Sequence, residues 1–365
     1  MKKIIFILSQ LLFLNLFATD TAMNNPKEMK LSLYDKMHVH GDLRLRHQEV
    51  HRDDKDNTYE QRYRMRLGLT YNINDYLSFE GQVASGKDNP TSTNVNMADG
   101  IHLDYFKIDI LDLKWNMSNV DWLRVGKSKH YFYRPMKTQL IWDNDLRPEG
   151  VSYGHKDDVY QFTTAIWKVH RINDEQPEGN IYMYVGQYVY TQHYADCIVH
   201  LGGGIYHYVG VQGSSTPYEK GPLGNSYDGV YEHDYSIAEG LMEVTFPVFS
   251  RPLQLGVTVA YNMAIADHNR AYDLSTQYGK IKKDFDWKLG YTYRYLERDP
   301  VFGANNDSDF IGGGTDGRGH IFTAKVQLQN HIDMAGHFQF SKKYIDSDKE
   351  ESDYDRVMLD IIFKF

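Results

Sequence analysis

The chain has 365 residues, 24% of them charged, with a formal net charge of −9 and a mean hydropathy of −0.57. That acidic balance speaks against a nucleic-acid binder, whose surface must attract phosphate. Beyond the N-terminal stretch no apolar run reaches the roughly 20 residues of a spanning helix, which excludes a helical membrane protein but not a barrel, whose crossings need only about 9–11 alternating residues.

At the N-terminus Lys2 and Lys3 precede an apolar stretch from Ile4 to Phe17, and Ala18 is a small residue suited to a cleavage site, with Ala22 as a second candidate. This pattern predicts a secretory signal peptide over 1–18, a short N-terminal segment over 19–37 and a transmembrane β-barrel over 38–365. The composition agrees with a barrel. There are 29 Tyr, 17 Phe and 29 Gly against 10 Pro, as aromatic girdles and tight walls require. Cys197 is the single cysteine, so no intrachain disulfide can form.

From residue 38 onward, alternating segments of about ten residues are separated by short and long connections in turn. In 38–50, Val39, Gly41, Leu43 and Leu45 alternate with His40, Asp42, Arg44 and Arg46. In 59–72, Tyr63, Met65, Leu67, Leu69 and Tyr71 alternate with Arg62, Arg64, Arg66 and Gly68. The turn 72–75 leads into 76–85. Weaker segments follow at 100–113, 120–128, 149–155, 159–169, 180–191, 196–212 and 236–246. The pattern sharpens again at 252–263, 271–282, 285–296, 318–329, 334–344 and 353–365. In the last of these Val357, Leu359, Ile361, Phe363 and Phe365 share one face and Arg356, Asp360 and Lys364 the other. An apolar final strand suits a sheet that closes its last strand on its first and faces lipid outside. The fold class is therefore all-β, an antiparallel up-and-down transmembrane barrel of about sixteen strands, with fourteen and eighteen as alternatives. Sixteen strands place every long loop, from 51–58 to 345–352, on one rim.

The sharpest chemical feature is a basic wall. Arg44 and Arg46 share the polar face of the first strand, and Arg62, Arg64 and Arg66 that of the second. Arg124 sits on the fifth, and Arg356 and Lys364 on the last. Like charges so close repel, which a wet lumen tolerates. The arginines either line a pore or are consumed in wall ion pairs with Asp42, Glu80 and Asp360, and the two readings are compatible.

Six stretches in chain order resemble the bacterial putative porin family. They are Asp42-Leu-Arg-Leu-Arg46, Gln61-Arg-Tyr-Arg-Met-Arg-Leu-Gly68, Ala84–Asn94, Leu103-Asp-Tyr105, Leu123-Arg-Val-Gly-Lys127, and Trp142-Asp-Asn-Asp145 with Pro148-Glu-Gly150. The remainder of the chain matches in rhythm alone. Lys87 departs from the acidic or small residue expected after Ser-Gly. The resemblance implies export to the Gram-negative outer membrane and passive diffusion. It also implies that the long loop 129–148, after strand five, folds inward as a constriction. Asp143, Asp145 and Glu149 would then oppose the arginines and set up a transverse field. The competing reading is a surface loop with ordinary turn carboxylates.

No cofactor is expected. His38 and His40 share a strand face without a third ligand at a defined spacing, so no metal site is expected either. Ala304–Asp309 resembles a calcium-type cluster but has no distal glutamate in register, and reads as a solvated acidic loop. Gly202–Gly204 reads as a barrel kink and Gly312–Gly314 as a flexible loop, since neither stands in a phosphate-loop context. No catalytic triad pattern is evident, so an enzyme is not expected. The expected function is a water-filled channel for small hydrophilic solutes with mild anion preference. Its partners are outer-membrane lipid and small solutes or ions, and not nucleic acid, with a homotrimer compatible with the fold. The rivals are a substrate-specific channel, a non-conducting adhesin or structural barrel, a barrel enzyme and a soluble periplasmic β-protein.

Overall fold

The structure is a computed structural model that describes residues 35–86, 89–97, 105–171, 179–217 and 221–365. The chain divides into Met1–His38 and Val39–Phe365, and the second unit builds the barrel. The expected signal peptide over 1–18, and the segment 19–37 apart from its last three residues, lie outside the described residues.

Alternation of apolar and polar residues over ten or more positions can satisfy a bilayer only as extended chain with every backbone group paired to a neighbour. The strands are β1 (Met37–Arg52), β2 (Thr58–Asn72), β3 (Leu77–Ser85), β4 (Val95–Asn96), β5 (Phe106–Asn116), β6 (Asp121–Lys127), β7 (Glu149–Lys156), β8 (Tyr160–Arg171) and β9 (Asn180–His193). They continue as β10 (Ile198–Val209), β11 (Ser236–Val248), β12 (Arg251–Asn262), β13 (Arg270–Gly279), β14 (Trp287–Leu296), β15 (Gly317–Gln329), β16 (Ile332–Lys343) and β17 (Ser352–Lys364). Two-residue β4 lies in a long loop and pairs with β2 at Arg62 and Tyr63. The other sixteen form the wall. Each is antiparallel to its wall neighbours, and β1 pairs with both β2 and β17, from Asp42 opposite Lys364 to Arg52 opposite Tyr354. Closure leaves no unpaired sheet edge in the hydrocarbon region.

The expected strands are found in order. The segment expected over 100–113 is β5 at Phe106–Asn116; residues 100–104 of the expectation lie outside the described residues, and the strand runs on past 113 because Trp115 and Asn116 extend the ladder to Leu123 and Trp122 of β6. The short connections, such as 73–76 and 249–250, lie on one rim and the long loops on the other. Outward residues include Leu43, Leu45, Leu67, Val125, Ile166, Leu255, Leu359 and Ile361, all exposed as a lipid-facing band requires. Among the described residues no helix is long and apolar enough to cross a membrane; the crossings are strands.

The apolar core lies inside the barrel. On β9, Tyr182, Tyr184 and Tyr188 face outward while Ile181, Met183 and Val185 face in and are buried. Trp167 of β8, Tyr206 and Tyr208 of β10, Ile237 of β11 and Leu296 of β14 extend this inner apolar surface. Burying each large apolar side chain is worth about 1.5–3 kcal/mol, so the surface draws in cover. Long loops supply it through Phe132, Leu140, Trp142, Tyr231, Phe302 and Phe310.

Candidate functional site: the lumen

On β1, β2 and β17 the residues that alternate with the lipid-facing leucines point inward. Arg46 sits opposite Asp360 and donates to it from Nε at 2.7 Å and Nη2 at 2.9 Å. Arg64 donates to Asp42 from Nε at 2.9 Å, and Arg66 donates to Asp145 at 2.6 Å and Thr93 at 3.1 Å. Arg44 reaches Asn94 at 2.5 Å and lies 3.8 Å from Asp360. Arg62 lies 3.9 Å from Glu60. Arg356 donates to Asp309 at 2.8 Å and to the Tyr354 hydroxyl at 2.7 Å. Arg124 of β6 pairs with Asp112, lies 3.8 Å from Glu80 and stacks on Tyr131 at 4.3 Å. The guanidiniums thus project inward and are also engaged by carboxylates, including the three expected partners Asp42, Glu80 and Asp360.

The segment 128–148 folds inward, its base closed by the Ser128 amide on the Pro148 carbonyl at 3.2 Å. The Tyr133 amide donates to Gln187 of β9 at 2.8 Å, the Met136 amide to Glu243 of β11 at 2.9 Å, and the Thr138 hydroxyl to Asp273 of β13. Seven residues after Thr138, Asp145 meets Arg66 of β2, so this stretch bridges two distant parts of the wall. Burial would raise the Asp145 carboxyl, but the Arg66 and Arg64 guanidiniums outweigh it and hold it below the ordinary value.

Two of the expected acidic partners lie elsewhere. The Asp143 carboxylate accepts from the Asp145 amide at 2.6 Å and the Ser308 amide at 2.9 Å, and so fastens two loops together instead of opposing the arginines. Burial first, then the charges of Asp145 and Asp307, push its carboxyl well above the ordinary value. Glu149 opens β7 in register with Lys127 and Lys168. It shares the face of outward Val151, while buried Ser152 occupies the inner face, so Glu149 cannot face the lumen.

The loop 297–316 corrects a second expectation. Ala304–Asp309 is not a solvated acidic run: Asn305, Asn306 and Asp307 are buried. Asp307 accepts from Arg294 at 2.6 Å, Asn305 meets His170 at 2.5 Å, and the Phe302 ring packs against Tyr208, Tyr231 and Tyr235 with centroids 5.2–5.6 Å apart. Nor does Gly312–Gly314 behave as a loose loop. Gly314 has φ of 96°, and a Cβ there would stand 2.1 Å from the Leu223 carbonyl oxygen, so only glycine fits this close approach of two loops. Asn225 and Ser226, in the connection between β10 and β11, bind it to Gly303 and Asp299.

Sequence reasoning missed the acidic side of the lumen. Asp109 and Asp112 lie on β5, Glu239 and Glu243 on β11, and Asp273 on β13, where it accepts from Nε and Nη2 of Arg294, each at 2.8 Å. The signal was present: Glu239 and Glu243 share a parity on a strand whose other face carries Met242. Among the described residues no group of three or more His, Cys, Asp or Glu is placed to hold a metal ion.

A family model described as putative porin matches residues 22–223 and 254–365. Among curated proteins nothing matches. Solved structures share the fold. OprB of Pseudomonas putida is 12% identical with a TM-score of 0.61, covering 93% of this chain and 97% of its own. Salmonella typhi OmpF, in complex with daunomycin, is 12% identical with a TM-score of 0.53, covering 90% and 97%. The trimer form of Vibrio cholerae OmpT is 13% identical with a TM-score of 0.50, covering 90% and 99%.

Proposed function

The chain belongs to the putative porin family of outer-membrane channels, and from that premise we propose that it passes small hydrophilic solutes down their gradients with a mild preference for anions. The observation that carries the preference is the charge of the inner wall of β1, β2 and β17. Arg44, Arg46, Arg62, Arg64, Arg66, Arg356 and Lys364 lie there against Asp42, Glu60 and Asp360. A lumen with a basic side raises the local concentration of anions. Asp145, held on Arg66, and the carboxylates of β5, β11 and β13 provide the opposing charge, so the field runs across the channel.

Reversal potentials across a planar bilayer under a salt gradient test the preference. A cation-selective channel, or no change on replacing Arg44, Arg62 and Arg64 together by Ala, overturns it. A substrate-specific channel is a second reading, favoured by the inward loops 128–148 and 297–316, which cover the apolar inner faces and reach the arginines through Asp145 and Asp309.

We further propose a homotrimer, on the analogy of the OmpT trimer form. Mass measurement of the detergent-extracted protein would give three barrels, and a strictly monomeric mass refutes it. Export by a cleaved signal peptide is part of the same proposal; N-terminal sequencing of the mature protein would begin at Thr19 or Met23.

A further inference from the structure

Where β1, β2, β16 and β17 meet the loops 221–227 and 311–316, a cavity of about 970 Å³ opens at the long-loop rim. Arg52, Arg62, Arg298, Lys343, Lys349 and Arg356 contribute to its lining, with Lys55 at the edge. Against these seven cations stand three carboxylates, Glu60, Glu232 and Asp316. Two of the three are already engaged. Glu60 accepts from Gln48 at 3.0 Å and Asn96 at 3.1 Å, and Asp316 accepts from the Asp346 amide at 2.7 Å.

The second observation is independent of the charge count. The Nε–H groups of Arg52, Arg62, Arg298 and Arg356 are buried and meet no acceptor among the described residues. Arg356 itself is more than nine-tenths buried. A buried donor left unpaired costs about 1–3 kcal/mol, more when charged, and the four guanidiniums that carry these donors line one cavity, where an anion offsets their charge. Hydroxyls of Thr58, Tyr227 and Ser347 share the lining, and the Ser347 hydroxyl is likewise buried without a partner.

We propose that this vestibule binds a hydroxylated polycarboxylate, a solute with two or more separated carboxylates and at least one hydroxyl, before it enters the channel; the proposal rests on the porin reading above. Separated guanidiniums and ammoniums in so large a cavity match separated carboxylates better than one compact charge. Guanidinium forks take carboxylates with two parallel hydrogen bonds, and the hydroxyl lining matches the solute's hydroxyl. From the vestibule the solute meets Arg356 and Arg46, both facing Asp309, at 2.8 and 3.8 Å.

The test is calorimetric titration of the full-length protein in detergent with citrate, beside single-channel recording in the presence of citrate. Citrate binds the wild-type protein and transiently blocks its current, whereas acetate and maltose at equal concentration do neither. R52Q, R298Q and K343Q each raise the half-saturating citrate concentration by about tenfold, the worth of one charge-assisted hydrogen bond. Lys282→Gln, in a turn on the opposite rim, leaves it unchanged. An open channel with no citrate binding, or binding that the three vestibule variants leave intact, overturns the site while the porin reading stands. A folded barrel that carries no current overturns the porin reading, and the titration still decides the site.

Discussion

Arg46 on the first strand and Asp360 on the last are register partners, and two hydrogen bonds of 2.7 and 2.9 Å join their side chains across the seam that closes the barrel. Both side chains are at least nine-tenths buried. The pair is more than a pore charge and its counter-charge: it stands where the sheet must recognise its own two ends.

Removing one partner leaves a buried charge, which costs about 3–5 kcal/mol, and a lumen that admits water favours the low end. Asp360→Ala is therefore expected to lower the urea midpoint of refolded barrel in lipid by about 3 kcal/mol equivalent. Replacing Arg46 by Met and Asp360 by Leu together is expected to restore most of that loss. A single variant as stable as wild type would show that the seam does not depend on the pair.

Asp145 on Arg66 is the contact between the inward segment 128–148 and β2. Asp145→Asn removes one negative charge from beside the solute path. A unit charge about 10 Å away in water is worth about 0.4 kcal/mol for each ion, with opposite sign for anion and cation, so the anion-to-cation permeability ratio should rise about fourfold. Reversal potentials measured on this variant and wild type at low salt check it.

Phe302 is fully buried among His170, Tyr208, Tyr231 and Tyr235 and anchors the second inward loop. Phe302→Ala forfeits about 3–5 kcal/mol of packing, more than a docked loop is expected to keep in reserve. Hydrogen-exchange protection over 299–310 should fall and single-channel conductance should rise, with the barrel itself still heat-modifiable on gels.

Acid acts on the loops in two opposite ways. Asp143 has a raised folded value, so its ionised form disfavours docking. Its contribution improves as pH falls from that raised value toward the ordinary one, about 4. Asp145 and Asp309 have lowered values: burial would raise each, but Arg66 outweighs it at Asp145 and Arg356 and Arg46 at Asp309. Their stabilisation is complete above about pH 4 and is lost as pH falls further through the lowered values. Protection factors over 138–146 and 302–310 should therefore rise on mild acidification and collapse below about pH 4. A monotonic fall from neutral pH would contradict the assignment at Asp143.

The strand order was legible because period-two alternation is a local property: Leu43 and Leu45 against Arg44 and Arg46 need no partner to be read. The shared face of Arg44 with Arg46, of Arg62 with Arg64 and Arg66, and of Arg356 with Asp360 followed from the same parity. The loops were not legible in this way. Asp143, Asp145 and Glu149 lie within seven residues of one another, yet one fastens two loops, one meets Arg66 and one faces outward at the start of β7. Only the hydrogen bonds to Ser308 and Arg66, far along the chain, and the onset of β7 separate their roles. The apolar inner faces of β8–β10 were a readable warning. Ile181, Met183 and Val185 alternate with Tyr182 and Tyr184, so that strand has no polar side to offer water.

By itself the sequence determined a closed sheet in a bilayer and which residues face lipid, because alternation and backbone satisfaction act within and between adjacent strands; the structure decided for sixteen crossings over fourteen or eighteen. Tertiary structure alone decided what fills the lumen. The loops dock where inner apolar surface needs cover, their carboxylates go to arginines brought near by barrel closure, and the basic vestibule is the space left between.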